Sequence, residues 1–206
     1  MNLFKLLLSW PKPFISGTDL ALHLDKSADS RHAIIKRSCK DKTLVQIRRD
    51  LYFIPLHAEK ELPDAFAIAP IIYGPSYISY ESALSFHEWI PESVPSILSS
   101  TTKRTKEFTT PLGVFSYKHI PIFAFHMGVG QYKTKDGVIF IADPWKALAD
   151  MIYVQKRVWS NQKALREDLR IDSEKIGSSN FELLDLLAHS YPSLRTRKQL
   201  LRLYEH

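Results

Sequence analysis

Cysteine is almost missing from this chain: Cys39 is the only one in 206 residues. An intrachain disulfide is excluded, and so is a zinc or iron–sulfur centre built from several thiolates. Such a chain suits a reducing compartment, and we expect a cytoplasmic protein. Glycine is scarce too, with seven residues, and no glycine-rich phosphate loop is built from them. Gly128-Val129-Gly130 is too short and lacks a following Lys-Ser/Thr, so it reads as a turn. Neither an HExxH pair nor a Gly-x-Ser-x-Gly elbow occurs. The eight histidines, His23, His32, His57, His87, His119, His126, His189 and His206, nowhere take up close metal-ligand spacing. His119 and His126 could meet Asp143 in space, but a structural role is the simpler reading of each. No catalytic residue, metal or cofactor is expected, and an enzyme is not the leading expectation.

Long hydrophobic runs are also lacking. The longest uncharged stretch, Ala65 to Tyr80, is interrupted by Pro70, Gly74 and Pro75. It falls short of the roughly 18 apolar residues of a membrane span. The opening run Asn2 to Trp10 has no small-residue cleavage site after it, so neither a secretory signal nor a membrane partner is expected.

What is present is an ordinary globular composition, 45% apolar and 12% aromatic, enough for one large domain or two small ones. The formal charge of +6 is unevenly placed. Residues 1–57 carry ten Lys/Arg against five Asp/Glu, and the other 149 residues are nearly neutral. That asymmetry suits a polyanion-binding module joined to a neutral one, or an ordinary solvated basic face.

Periodicity divides the first quarter into three helices and a hairpin. Asn2 to Ser9 places Leu3, Leu6 and Leu7 on one face, and Pro11 and Pro13 stop it. A second short helix opens at Ile15 to Asp19, with Ser16 and Thr18 as caps and Leu20, Leu22 and Leu24 as its apolar residues. The third runs from Ala28 to Lys40. Ile34, Ile35 and Ser38 share one side, and Asp29, Ala33, Lys36, Arg37 and Lys40 share the other. Strands at 43–47 and 51–54 then flank a charged turn, Arg48-Arg49-Asp50. Three helices followed by a hairpin is the order of a winged helix-turn-helix. A helix of this kind fits the major groove, and cations at the hairpin tip reach phosphates. The candidate DNA contacts are Ser30, Arg31, His32, Lys36, Arg37 and Lys40 on the third helix, with Arg48 and Arg49 at the tip. The same helices could bind protein instead.

Residues 58–206 read as a second, larger domain, reached through the polar connection 56–65. Helices are expected at 65–73 and 76–86, the latter with Tyr77 docked under the first domain. Strands are expected at 94–98, 106–110, 114–119, 122–125 and 138–142. Helices follow at 147–153, 161–169, 181–190 and 194–203. The fold class is α+β. Asp143 and Pro144 suit a helix start, and Lys146 can pair with Asp150 four residues on. The helical end is basic, and Lys163, Arg166, Arg195, Arg197 and Lys198 offer an auxiliary basic surface beside interspersed acids.

Four ordered stretches resemble the AbiEi-like antitoxins of type IV (abortive infection) toxin–antitoxin systems. They are Thr43 to Ile54, Pro75 to Leu84, Thr101 to Thr105 with Gly113 to Tyr117, and Ile141 to Asp150. The resemblance covers residues 43–150. It implies an N-terminal winged helix that binds repeats in its own promoter and represses its operon. It also implies a C-terminal antitoxin domain that counters a nucleotidyltransferase-like toxin, directly or indirectly. Lys36, Arg37, Arg48 and Arg49 would then touch the inverted repeats. Three residues depart from the pattern. Asp50 stands where the hairpin usually has glycine, Lys42 where glycine often precedes the first hairpin strand, and Trp145 where glutamate precedes Lys146. The readings kept open beside this one are a winged-helix protein adaptor without DNA binding and an enzyme acting on nucleic acid.

Overall fold

The computed structural model describes residues 2–57, 62–92 and 94–204. The architecture is α+β: an N-terminal helix-and-strand unit, then a larger mixed domain that ends in helices. The expected boundary at 57/58 adjoins residues 58–61, which lie outside the described residues, as does His206.

The N-terminal unit comprises α1 (Leu3–Ser9), β1 (Phe14–Ser16), α2 (Gly17–His23), α3 (Ala28–Lys40), β2 (Val45–Arg48) and β3 (Leu51–Phe53). All three helices form where periodicity places them. The second starts two residues later than expected because Phe14 to Ser16 is drawn into a strand against β3, pairing Phe14 with Phe53. Ser16 then closes a capping box with Asp19. Leu22, expected on the apolar side of α2, points outward and is 76% exposed, while Leu20 and Leu24 are buried. Only one flank of so short a helix meets the core.

The sheet runs β1-β3-β2 and is apolar on both faces. Ile15, Tyr52, Leu44 and Ile54 pack on Leu3, Leu6, Leu7, Leu20 and Leu24 of the helices. Phe14, Ile47, Leu51 and Phe53 join the core of the larger domain. A bulge between Gln46 and Arg48 adds one residue to β2, and Ile47 there is buried on the second face. Strand alternation thus splits one short sheet between two cores.

The larger domain begins with α4 (Ala65–Tyr73), as expected, and is built on a six-stranded mixed sheet. Its strands are β4 (Ser76–Ile78), β5 (Ser96–Thr101), β6 (Lys106–Thr110), β7 (Gly113–His119), β8 (Val129–Thr134) and β9 (Gly137–Ala142), in the order β6-β7-β5-β4-β9-β8. The helix expected over 76–86 divides. Ser76 to Ile78 is a central strand, hydrogen-bonded to β5 on one side and β9 on the other, and only α5 (Tyr80–Phe86) is helical. Pairing on two edges outweighs the local apolar periodicity. Tyr77 therefore lies inside the larger domain and does not dock under the first. Ile122–Ala124 is a single 3-10 turn in place of the expected strand, because Pro121 precedes it and no neighbouring strand pairs with it. The expected turn at Gly128 to Gly130 forms at Gly128, which takes φ +63°, and gives way to β8 at Val129.

The helical end comprises α6 (Pro144–Gln155), α7 (Gln162–Leu169), α8 (Ser173–Gly177), α9 (Phe181–Ser190) and α10 (Leu194–Tyr204). Asp143 caps α6 by accepting from the Trp145 N–H at 2.9 Å. Residues 144–152 of α6 are buried. Among the described residues no helix is long and apolar enough to cross a membrane.

Candidate nucleic-acid interface

The placement of α3 follows from its sequence. Ser27 caps its start, its Oγ accepting from the Ser30 N–H at 3.3 Å. Ser38 is buried, and Ile34, Ile35 and Cys39 are half-buried against the α1–α2 cluster. Burial of the Cys39 thiol, with the Asp41 charge beside it, pushes its pKa up. The opposite side, Asp29, Ser30, His32, Ala33, Lys36, Arg37 and Lys40, is exposed. At 100° per residue the three cations Lys36, Arg37 and Lys40 span an arc of about 100° on that side. Among the described residues none of them forms an ion pair. Three free cations are thus held in solvent on one helix face. Arg31 is half-buried at the edge, its guanidinium donating to the Lys26 carbonyl.

The turn after α3 and the hairpin tip both need left-handed backbone. Lys42 takes φ +63° and Asp50 takes φ +66°. Neither position is a glycine. Aspartate tolerates this region better than most residues. At Lys42 the turn is held by Asp41, whose carboxylate accepts from the Thr43 N–H at 3.0 Å and the Thr43 hydroxyl at 2.6 Å. Those bonds hold the Asp41 carboxyl below the usual carboxylate range.

Asp50 is exposed at the tip and is tied to the start of α2. Its carbonyl accepts from the Gly17 N–H at 3.3 Å, and its carboxylate lies where a Cβ on Gly17 would sit, 1.9 Å from Oδ1. The charge rests beside the first turn of α2, where the helix dipole favours an anion. Arg49 is exposed at the tip. Arg48 turns the other way: its Nε donates to the Ile72 carbonyl at 2.7 Å and its Nη1 to the Arg49 carbonyl at 2.9 Å. The two arginines expected to act together are separated, one in solvent and one engaged with the protein itself.

The chain matches no family model and no curated protein.

The auxiliary cations are more dispersed. Arg195 and Lys198 are exposed on one side of α10, together with Arg202. Arg195 donates to the Lys156 carbonyl at 2.7 Å. Arg197 is half-buried and donates to the His189 carbonyl at 3.3 Å. Arg166 is half-buried, and its Nε and that of Arg197 lie inside without an acceptor. Lys163 sits 3.9 Å from Glu167 across one exposed helical turn.

The Lys146–Asp150 pair forms, but in the interior. Nζ and Oδ1 are 2.5 Å apart, and both side chains are completely buried. Asp150 also accepts from the hydroxyls of Tyr77 (2.7 Å), Ser79 (2.8 Å), Ser100 (2.9 Å) and Tyr191 (3.1 Å). Five donors converge on one carboxylate, which is how a charge of this kind is held away from water. Burial lowers the Lys146 pKa against the pull of Asp150, and burial followed by the Asp150 charge raises those of Tyr77 and Tyr191. No sequence signal marks the hydroxyls, because separate elements deliver them. Asp143 has His87 as a neighbour, and burial raises the pKa of the carboxyl and lowers that of the imidazole. His119 is engaged with the Lys103 carbonyl at 3.1 Å, and the His126 ring meets that of Phe125 edge-on. No group of three or more metal-ligating side chains occurs among the described residues.

Proposed function

We propose that the N-terminal unit is a winged helix-turn-helix that binds double-stranded DNA, with α3 in the major groove and Arg49 on an adjacent phosphate. The observation that carries this reading is the exposed arc of Lys36, Arg37 and Lys40 on α3, none of them in an ion pair among the described residues. Exposed cations on one side of a helix suit contact with groove phosphates and base edges. Asp50 lies over Gly17 at the start of α2, and Arg49 is the exposed cation at the tip. Ser30 and His32 lie on the same exposed side and extend the contact.

The regulatory role comes from the resemblance to AbiEi-like antitoxins. In that reading the protein acts in the cytoplasm, represses its own promoter through inverted repeats, and counters a nucleotidyltransferase-like toxin through residues 58–206. Fully buried, the Lys146–Asp150 group favours a structural purpose in that domain, in keeping with a regulator that is not an enzyme.

The test is promoter binding by the full chain over a salt series. The expected result is a preference for the promoter over unrelated DNA of equal length. Affinity should fall by about 10³-fold or more between about 50 and 200 mM salt if six or more phosphates are neutralised. Replacing Lys36 and Arg37 by alanine should lower the log–log salt slope by about 0.9 for each phosphate that is no longer neutralised. Equal binding to both DNAs, unchanged by both substitutions, overturns the reading and leaves the protein-adaptor alternative.

A further inference from the structure

Arg48 has a use that its place at the hairpin tip conceals. α4 ends at Gly74-Pro75, and Pro75 has no N–H to offer the last helical carbonyls. Side chains supply the donors. Arg48 Nε takes the Ile72 carbonyl, and Lys103 Nζ takes that of Gly74 while lying over the Tyr73 ring. Tyr117 donates to the Ala69 carbonyl one turn earlier, at 2.7 Å. Two cations thus sit at the negative end of the α4 dipole. One of them, Arg48, is the last residue of β2 and precedes the exposed Arg49. Its neighbour Ile47 is buried in the same core as Ile72.

We propose that Arg48 is a positioning residue, a clasp that fixes the hairpin and its Arg49 against the end of α4 without touching DNA. The proposal rests on the DNA-binding reading above for its consequence, and on the Arg48–Ile72 bond for its mechanism. The hairpin's aim is then set by the larger domain, so whatever shifts the end of α4 also shifts the tip.

The experiment uses the full chain with Arg48→Ala, Arg48→Gln and Arg49→Ala. In glutamine the amide nitrogen is attached to Cδ, as Nε is in arginine, so Arg48→Gln keeps the donor to Ile72 and removes the charge. Affinity for promoter DNA is read across a salt series, and backbone amide exchange is followed in the hairpin and at the end of α4. As a clasp, Arg48→Gln should keep most of the wild-type affinity, losing only the charge-assisted part of the bond, at the wild-type salt slope. Arg48→Ala should lose about tenfold in affinity, the scale of a hydrogen bond to a charged group, at an unchanged slope and with faster exchange at both places. Arg49→Ala should lower the slope and leave exchange alone. If Arg48→Gln and Arg48→Ala lose affinity equally and both lower the slope, Arg48 is a phosphate ligand and the clasp is wrong. If the wild type shows no DNA binding, the functional reading fails by itself. The exchange comparison still decides the clasp, which is overturned if Arg48→Ala leaves exchange unchanged.

Discussion

At the scale of single residues, backbone conformation decides where charge points. Asp50 occupies the left-handed region at the hairpin tip, and that geometry lays its carboxylate over Gly17. A Cβ on Gly17 would meet the Asp50 carboxylate, the end of an exposed side chain that would then have to turn away. Replacing Asp50 by asparagine keeps a side chain suited to the left-handed region and removes a negative charge from the DNA side. We expect Asp50→Asn to bind promoter DNA more tightly, by about twofold to fivefold at low salt, with the gain fading at high salt. Titration at two ionic strengths checks this, and weaker binding would mean that the Asp50 contact with α2 matters more than its charge.

At the scale of elements, α3 is lightly anchored. It rests on the half-buried Ile34, Ile35 and Cys39 and the buried Ser38, so its ends carry a large share of its definition. Ser27 supplies the N-terminal cap and also donates its hydroxyl to the Ser30 hydroxyl at 2.9 Å. Ser27→Ala should destabilise the protein by about 1 kcal/mol. It should also lower DNA affinity, because a frayed first turn carries Ser30 and His32. Urea denaturation read beside DNA binding separates the two effects. Loss of affinity without loss of stability would show that Ser27 itself meets DNA.

At the scale of the whole molecule, one face of the N-terminal sheet joins the core of the larger unit, and that unit holds a buried polar centre. The tyrosines at 77, 80, 117 and 191 have pKa values raised above the ordinary one, chiefly by burial, with Asp150 adding to the effect at 77, 80 and 191. The folded chain keeps these protons where the unfolded chain loses them, so stability falls as pH rises past about 10. Lys146 works in the opposite sense. Its lowered pKa makes the unfolded chain the better proton binder just below about 10.5, so its contribution rises with pH there and is then complete. Four tyrosines outweigh one lysine. Urea midpoints should drop steeply between about pH 10 and 11, by up to about 1.4 kcal/mol per pH unit for each tyrosine held protonated. A flat profile over that range would show that the hydroxyls reach solvent.

Local order was legible in the sequence wherever one residue's neighbours along the chain suffice to place it. The bounds of α3, with its cationic side outward, of α4 and of α9 follow from periodicity and from caps and breakers close by. The Lys146–Asp150 pairing follows from helical spacing alone. Only the tertiary structure decided what lies between elements. Ser76 to Ile78 became a strand because β5 and β9 flank it, and Phe14 to Ser16 because β3 does. Arg48 turned inward because the end of α4, 24 residues on, presents a carbonyl without a backbone donor. Lys146 and Asp150 were buried because hydroxyls from distant elements meet them there. Periodicity reports which side of an element is apolar; it carries no record of which partner arrives, and partners set both the strand pairing and the fate of each buried charge.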